Sequence, residues 1–91
     1  MSAASKRHLA LLHTLPCVIC ANCYGVSKKA EEAHHLEVVR GEHSTFVTIP
    51  LCKICHDSIH HLRRRPFYLA HKLSDLKLMA WTVQLIEEAL A

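Results

Sequence analysis

Two Cys-x-x-Cys pairs, Cys17-x-x-Cys20 and Cys52-x-x-Cys55, constrain this chain more than any other feature. Two residues between cysteines let both sulfurs face one tetrahedral ion at about 2.3 Å, and two such pairs complete a closed structural zinc site. In a chain of 91 residues a hydrophobic core alone is marginal, because it buries only roughly 60–65% of the unfolded surface. A zinc ion that supplies on the order of 10 kcal/mol of folding free energy would outweigh any single cap or salt bridge, so the metal-free chain is expected to be largely unfolded. The fifth cysteine, Cys23, repeats the spacing as Cys20-x-x-Cys23, which leaves two choices for the first pair. Pro16, which ends the preceding helix just before the knuckle, favours Cys17 with Cys20, and Cys23 is then a partly buried free thiol.

The odd number of cysteines, their matched spacing and the lack of an export pattern in "KRHLALLHTLPC" lead us to expect thiolates on zinc in the reducing cytoplasm rather than disulfides. No apolar run is long enough to span a membrane. With 51% hydrophobic and 21% charged residues but only two glycines and three prolines, long disordered segments are not expected, and residues 1–91 read as one domain. The net charge of +3 is modest, but Arg63, Arg64 and Arg65 concentrate it beside a histidine-rich segment, where a polyanion would be bound locally.

Along the chain the pattern predicts an α+β fold. "SKRHLALLH" (5–13) reads as a short N-terminal helix with Leu9 and Leu12 inward, and "GVSKKAEEA" as a polar loop after the first knuckle. "HHLEVV" and "TFVTIPL" are strand-like and flank a polar connection around Gly41, which predicts a β-hairpin. From Lys53 a knuckle runs into a helix expected to reach Arg65 and to stop before Pro66. A second helical block is expected from Pro66 at N1, followed by a helix that Ser74 caps and that runs to about Leu90. The core is thus assigned to 16–65 and a helical extension to 66–91. Leu69, Leu73, Leu76, Ala80 and Val83 form the expected inward stripe of that extension, folded over the zinc core. Leu78 and Trp81 are left partly off the stripe, where a homodimer contact would use them.

The run "LCKICHDSIHH" (51–61) carries two overlapping patterns. Cys52-x-x-Cys55-His56 is the attachment signature of c-type haem, but that reading requires export and leaves Cys17 and Cys20 unexplained. His56 and His60, four apart on a helix, lie on one face and can reach one ion, while His61 turns roughly 100° away. On an extended strand the adjacent His34 and His35 point to opposite sides, so one can bind metal while the other addresses something else. Three neutral histidines, His34, His56 and His60, would leave coordination positions open, as catalytic sites require. His8, His13, His43 and His71 read as solvated or packed imidazoles.

The order Cys17-x-x-Cys20, "AHH" at 33–35, "PLCKICH" at 50–56 and His60 one turn later resembles the HNH endonucleases, most of all the small HNH proteins of phages and prophages. The resemblance covers roughly residues 16–62 and implies a ββα-metal core embedded in a zinc-bound treble clef. It implies that His35 is the general base, that His34 is a ligand of the catalytic ion, and that His56 and His60 are the two helix ligands. The ion would be Mg²⁺, Mn²⁺, Ni²⁺ or Zn²⁺ beside the structural Zn²⁺, the substrate DNA, and the setting a bacterial or phage-infected cell. Arg63, Arg64, Arg65, Lys28 and Lys29 are the candidate phosphate contacts, and with so few charges and no base-reading element, low sequence specificity is expected. The pattern departs from the family at its middle position: "FVTIPLC" has no asparagine, and Thr48 is the polar residue available there. A zinc-stabilised nucleic-acid-binding or assembly module without catalysis is the competing reading.

Overall fold

The structure is a computed structural model that describes residues 2–61 and 63–91. Seven elements follow in the order α1 (Ala3–Leu12), α2 (Val18–Cys23), β1 (Glu32–Val39), β2 (Glu42–Leu51), α3 (Lys53–His61), α4 (Arg64–His71) and α5 (Asp75–Leu90). The α+β class is as expected. β1 and β2 form a two-stranded antiparallel hairpin, closed by Arg40 and by Gly41 at φ +81, a conformation that a glycine adopts without strain. α1 packs on β2 and turns Leu12 into the core, with Leu9 half-buried.

Two features of the hairpin matter for what it holds. Its register pairs His34 with Ile49 and His35 with Thr48, and then shifts, so that Leu36 alone stands opposite residues 44–47. This bulge is fastened from inside: Thr48, fully buried, donates its hydroxyl to the Thr45 carbonyl at 2.7 Å. The knuckle around Cys17 is held to the following loop by its own backbone, the Cys17 N–H donating to the Lys28 carbonyl at 2.7 Å. The short helix α2, in a stretch whose sequence shows only cysteine spacing, grows directly out of this knuckle with Cys17 as its N-cap.

The C-terminal third departs from the sequence reading in two places. The helix expected to run from Lys53 to Arg65 is interrupted, because Arg63 sits at φ +66 and redirects the chain between α3 and α4. α4 then starts at Arg64, with Pro66 in its first turn rather than at N1; the missing N–H costs nothing there, since first-turn donors have no intrahelical partner. The second correction concerns α5. Leu78 and Thr82 are fully buried, and Trp81, Leu85 and Met79 pack against the same core, whereas Leu69, Leu76 and Val83 face outward. Leu76 lies roughly 160° around the helix from Leu78. α5 is apolar on both faces, and Thr82 made the true inward face look interrupted; buried, its hydroxyl donates to the Leu78 carbonyl at 2.8 Å and needs no other partner. The surface expected to be left for a second copy, Leu78 and Trp81, is used by the chain's own core. Phe67, Tyr68 and Leu78 share one cluster with Cys17, Cys20, Cys52 and Cys55, so the extension is part of the core.

This assignment of faces is testable by denaturant unfolding of the zinc-loaded protein. Leu78→Ala should lower stability by about 2–5 kcal/mol. Leu76→Ala, at a position 81% exposed, should change it by less than about 0.5 kcal/mol.

Candidate metal centres and the cleft beside them

Cys17, Cys20, Cys52 and Cys55 converge with their sulfurs within 4.8 Å of one another, and all four are buried. Cys20 Sγ lies 3.8 Å from Cys52 Sγ and 3.7 Å from Cys55 Sγ. A tetrahedron with zinc–sulfur bonds of about 2.3 Å has an edge of about 3.8 Å, so the spacing is that of a ZnS₄ site and far from that of a disulfide. The two halves are built alike. The Cys20 N–H donates to Cys17 Sγ at 3.5 Å and the Cys55 N–H to Cys52 Sγ at 3.4 Å, each knuckle turning its backbone dipole toward the sulfur that precedes a helix. Cys23, at the end of α2, stays outside the cluster.

The electrostatics of these sulfurs call for a cation. A hydrogen bond from Cys55 holds the Cys17 thiol down at about 5, whereas burial and the neighbouring Cys17 charge push Cys20 up to about 11. Cys55, the donor to Cys17, is raised further still. The Cys17 charge therefore opposes ionisation of Cys20 and Cys55, and a divalent ion is what would let them ligate as thiolates. The four cysteines can hold a metal such as zinc.

A second convergence stands beside the first. His34 of β1 and His56 and His60 of α3 bring one ring nitrogen each within 4.8 Å of one another. The Nε2 atoms of His56 and His60 are 3.0 Å apart, at the short end of the ligand–ligand spacing of about 3.0–3.4 Å that metal–nitrogen bonds near 2.1 Å impose. Burial, and then the His56 and His60 charges, lower the pKa of His34 to about 4, so at neutral pH its imidazole is unprotonated and available as a ligand. His56 has a further partner: its Nδ1 contacts the Glu32 carboxylate at the start of β1. That hydrogen bond holds the Glu32 carboxyl below the usual carboxylate range.

His35, the strand neighbour of His34, is exposed and outside this group, so the pair divides between two directions as the strand geometry requires. An open cleft of about 390 Å³ joins them; His34, His35, His43, His60, Arg63 and Arg64 lie along it. Of the five basic residues expected to meet phosphate, two therefore border the histidines. Arg64 also pairs with Asp75 at 3.6 Å. Arg65 lines a different groove beside Tyr68 and Leu73, and Lys28 and Lys29 a third, next to His13 and Ser27. Comparison with protein-family models, with curated proteins and with solved structures returned no match.

Two residues of this region escaped the sequence reading. Glu32 is two positions before His34, and the period of a strand puts both on one face, a signal that was available. His43 pairs with Glu37 across the hairpin, and its place in the cleft follows from a register shift that composition does not reveal.

Two outcomes are expected. Cys55→Ser, or chelation of the wild type, should abolish the cooperative near-ultraviolet circular dichroism transition, while His56→Ala should keep it and retain about one zinc per chain by atomic emission. Thr48→Val, which removes the donor inside the bulge without changing shape, should cost about 1–2 kcal/mol in urea titrations.

Proposed function

We propose that this chain is a metal-dependent DNA endonuclease of the HNH type. In this reading the thiolate cluster stabilises a treble-clef knuckle, and the hairpin with α3 forms a ββα-metal site. The observation that carries it is the joint placement of His34, His56 and His60 around one point, with His35 beside them and unused by that group. A packed core needs no such arrangement of four histidines.

The chemistry follows from these side chains. Arg63 and Arg64, exposed on the rim of the cleft, take phosphates of the substrate and hold the scissile phosphodiester against the histidines. His35 accepts a proton from a water molecule as the water oxygen attacks phosphorus, and the bond to the 3′ oxygen breaks on the opposite side. His34, His56 and His60 would hold a divalent ion, which would supply Lewis-acid stabilisation of the charge that builds on the phosphate oxygens. Three imidazoles without a carboxylate suit Zn²⁺, Ni²⁺ or Co²⁺ better than Mg²⁺ or Mn²⁺, which prefer oxygen ligands. Thr48 lies directly across from His35 and fixes the bulge behind it, which supplies a backbone constraint at the point where the family's asparagine is missing.

The absent asparagine is also what favours the competing module that binds nucleic acid without cutting it. Incubation of the zinc-loaded protein with supercoiled plasmid and Mg²⁺, Mn²⁺ or Ni²⁺ separates the two. Nicking is expected, with His35→Ala reducing the rate by at least about 100-fold while leaving the metal content unchanged. Absence of nicking with every ion, or nicking indifferent to His35→Ala, would exclude the nuclease reading.

A further inference from the structure

The contact between Glu32 and His56 has no role in the scheme above, and it is one of only two salt-bridge contacts among the described residues. Glu32 opens β1 and His56 lies in the first turn and a half of α3, so the contact ties the two elements that carry the histidine cluster. A carboxylate can only accept, so the ring nitrogen facing it, Nδ1, must carry the hydrogen. In a neutral imidazole this leaves the lone pair on Nε2. That same Nε2 is the atom directed at His60 Nε2, 3.0 Å away, where the ligand atoms of His34, His56 and His60 converge.

We infer that Glu32 is a positioning residue for the histidine site: its carboxylate selects the Nδ1–H tautomer of His56, aims Nε2 at the shared ion and thereby sets the site's affinity for metal. Three observations converge on this. The carboxylate is on the strand face that carries His34, two residues away, so the hairpin delivers a ligand and the support for another ligand together. His56 is only 19% exposed at its side chain, so water cannot freely replace the carboxylate at Nδ1. Among the three ligand histidines, His56 alone has a carboxylate on the nitrogen opposite its ligand atom. Anionic support of this kind raises the basicity of the ligating nitrogen and restricts ring rotation. Glu32 does not touch substrate.

The inference rests on the reading that His34, His56 and His60 share one ion, and two measurements separate its failure from the failure of that reading. The first uses protein with zinc at the cysteines and the histidine site metal-free, labelled with ¹⁵N at histidine, with His56 assigned through His56→Ala. Ring nitrogen shifts at pH 7.5 should identify His56 as the Nδ1–H tautomer, and Glu32→Ala should move it toward the Nε2–H form. The second titrates the same proteins with Co²⁺, whose nitrogen-rich site absorbs apart from the thiolate bands. Glu32→Ala should weaken the histidine site about 10–100-fold with circular dichroism and bound zinc unchanged, and Glu32→Gln, which keeps an acceptor oxygen but no charge, should recover only part of the loss. Equal Co²⁺ affinity in wild type and Glu32→Ala, or an Nε2–H tautomer in the wild type, overturns the role of Glu32 and leaves the shared-ion reading intact. A wild type that takes no Co²⁺ at the histidines overturns both.

Discussion

Everything else in this structure depends on the convergence of four buried sulfurs, a set that can hold a cation such as zinc. Buried and within 4.8 Å of one another, they are spaced as the corners of a tetrahedral thiolate site, and a divalent ion would bind them together. The cluster joins α2, which begins at the first knuckle, to α3, which begins at the second, and places the hairpin between them. Leu36, Ile49, Ile59, Phe67 and Leu78 then pack around it as one core. In a chain this short the apolar residues cover the metal site as much as they form an independent core.

The second cluster inherits its geometry from the first. Cys55 and His56 are consecutive, so the turn that directs one side chain to the sulfurs fixes the phase of α3 and directs its neighbour roughly 100° away, toward β1. His60 follows one turn later on the same face. The hairpin contributes His34 and Glu32 from one strand face, and its opposite direction carries His35. A rigid knuckle therefore sets the relation between helix and strand on which the histidine geometry depends, and function-bearing side chains held on regular elements are better fixed than any held on loops. Arg63 is the exception: it lies where the chain departs from helical geometry, at φ +66, beside the cleft it borders.

Much of this was legible because ligand chemistry leaves periodic traces. Cys-x-x-Cys, His-x-x-x-His and a paired His-His each imply a local geometry, and the cysteines and histidines singled out by those patterns are brought together in two groups. The hairpin and the cap at Ser74 were readable for similar reasons, since turn and cap chemistry is local. What was not legible required tertiary information. The inward face of α5 could not be read because both faces are apolar and Thr82 satisfies its own hydroxyl within the helix. The break at Arg63 could not be read because neither glycine nor proline marks it. The separation of Lys28 and Lys29 from the arginines could not be read because charge has no periodicity that reports on distant surfaces.

On the proposed nuclease reading, the residues beside the histidine cluster would let the site do more than hold an ion. A purely structural metal centre closes its coordination sphere with protein ligands, as the four cysteines would in the core. The histidine group instead brings together three imidazoles next to an open cleft, with two arginines on its rim and a fourth imidazole that the group does not use. Neutral ligands leave a bound dication its full charge, so anions are attracted, and the arginines extend that attraction along the cleft. Glu32 stands behind His56, where its carboxylate would support a ligand without occupying a coordination position. The two groups therefore differ in kind: thiolates would neutralise an ion held in the core, whereas neutral histidines would leave one held beside the cleft electrophilic.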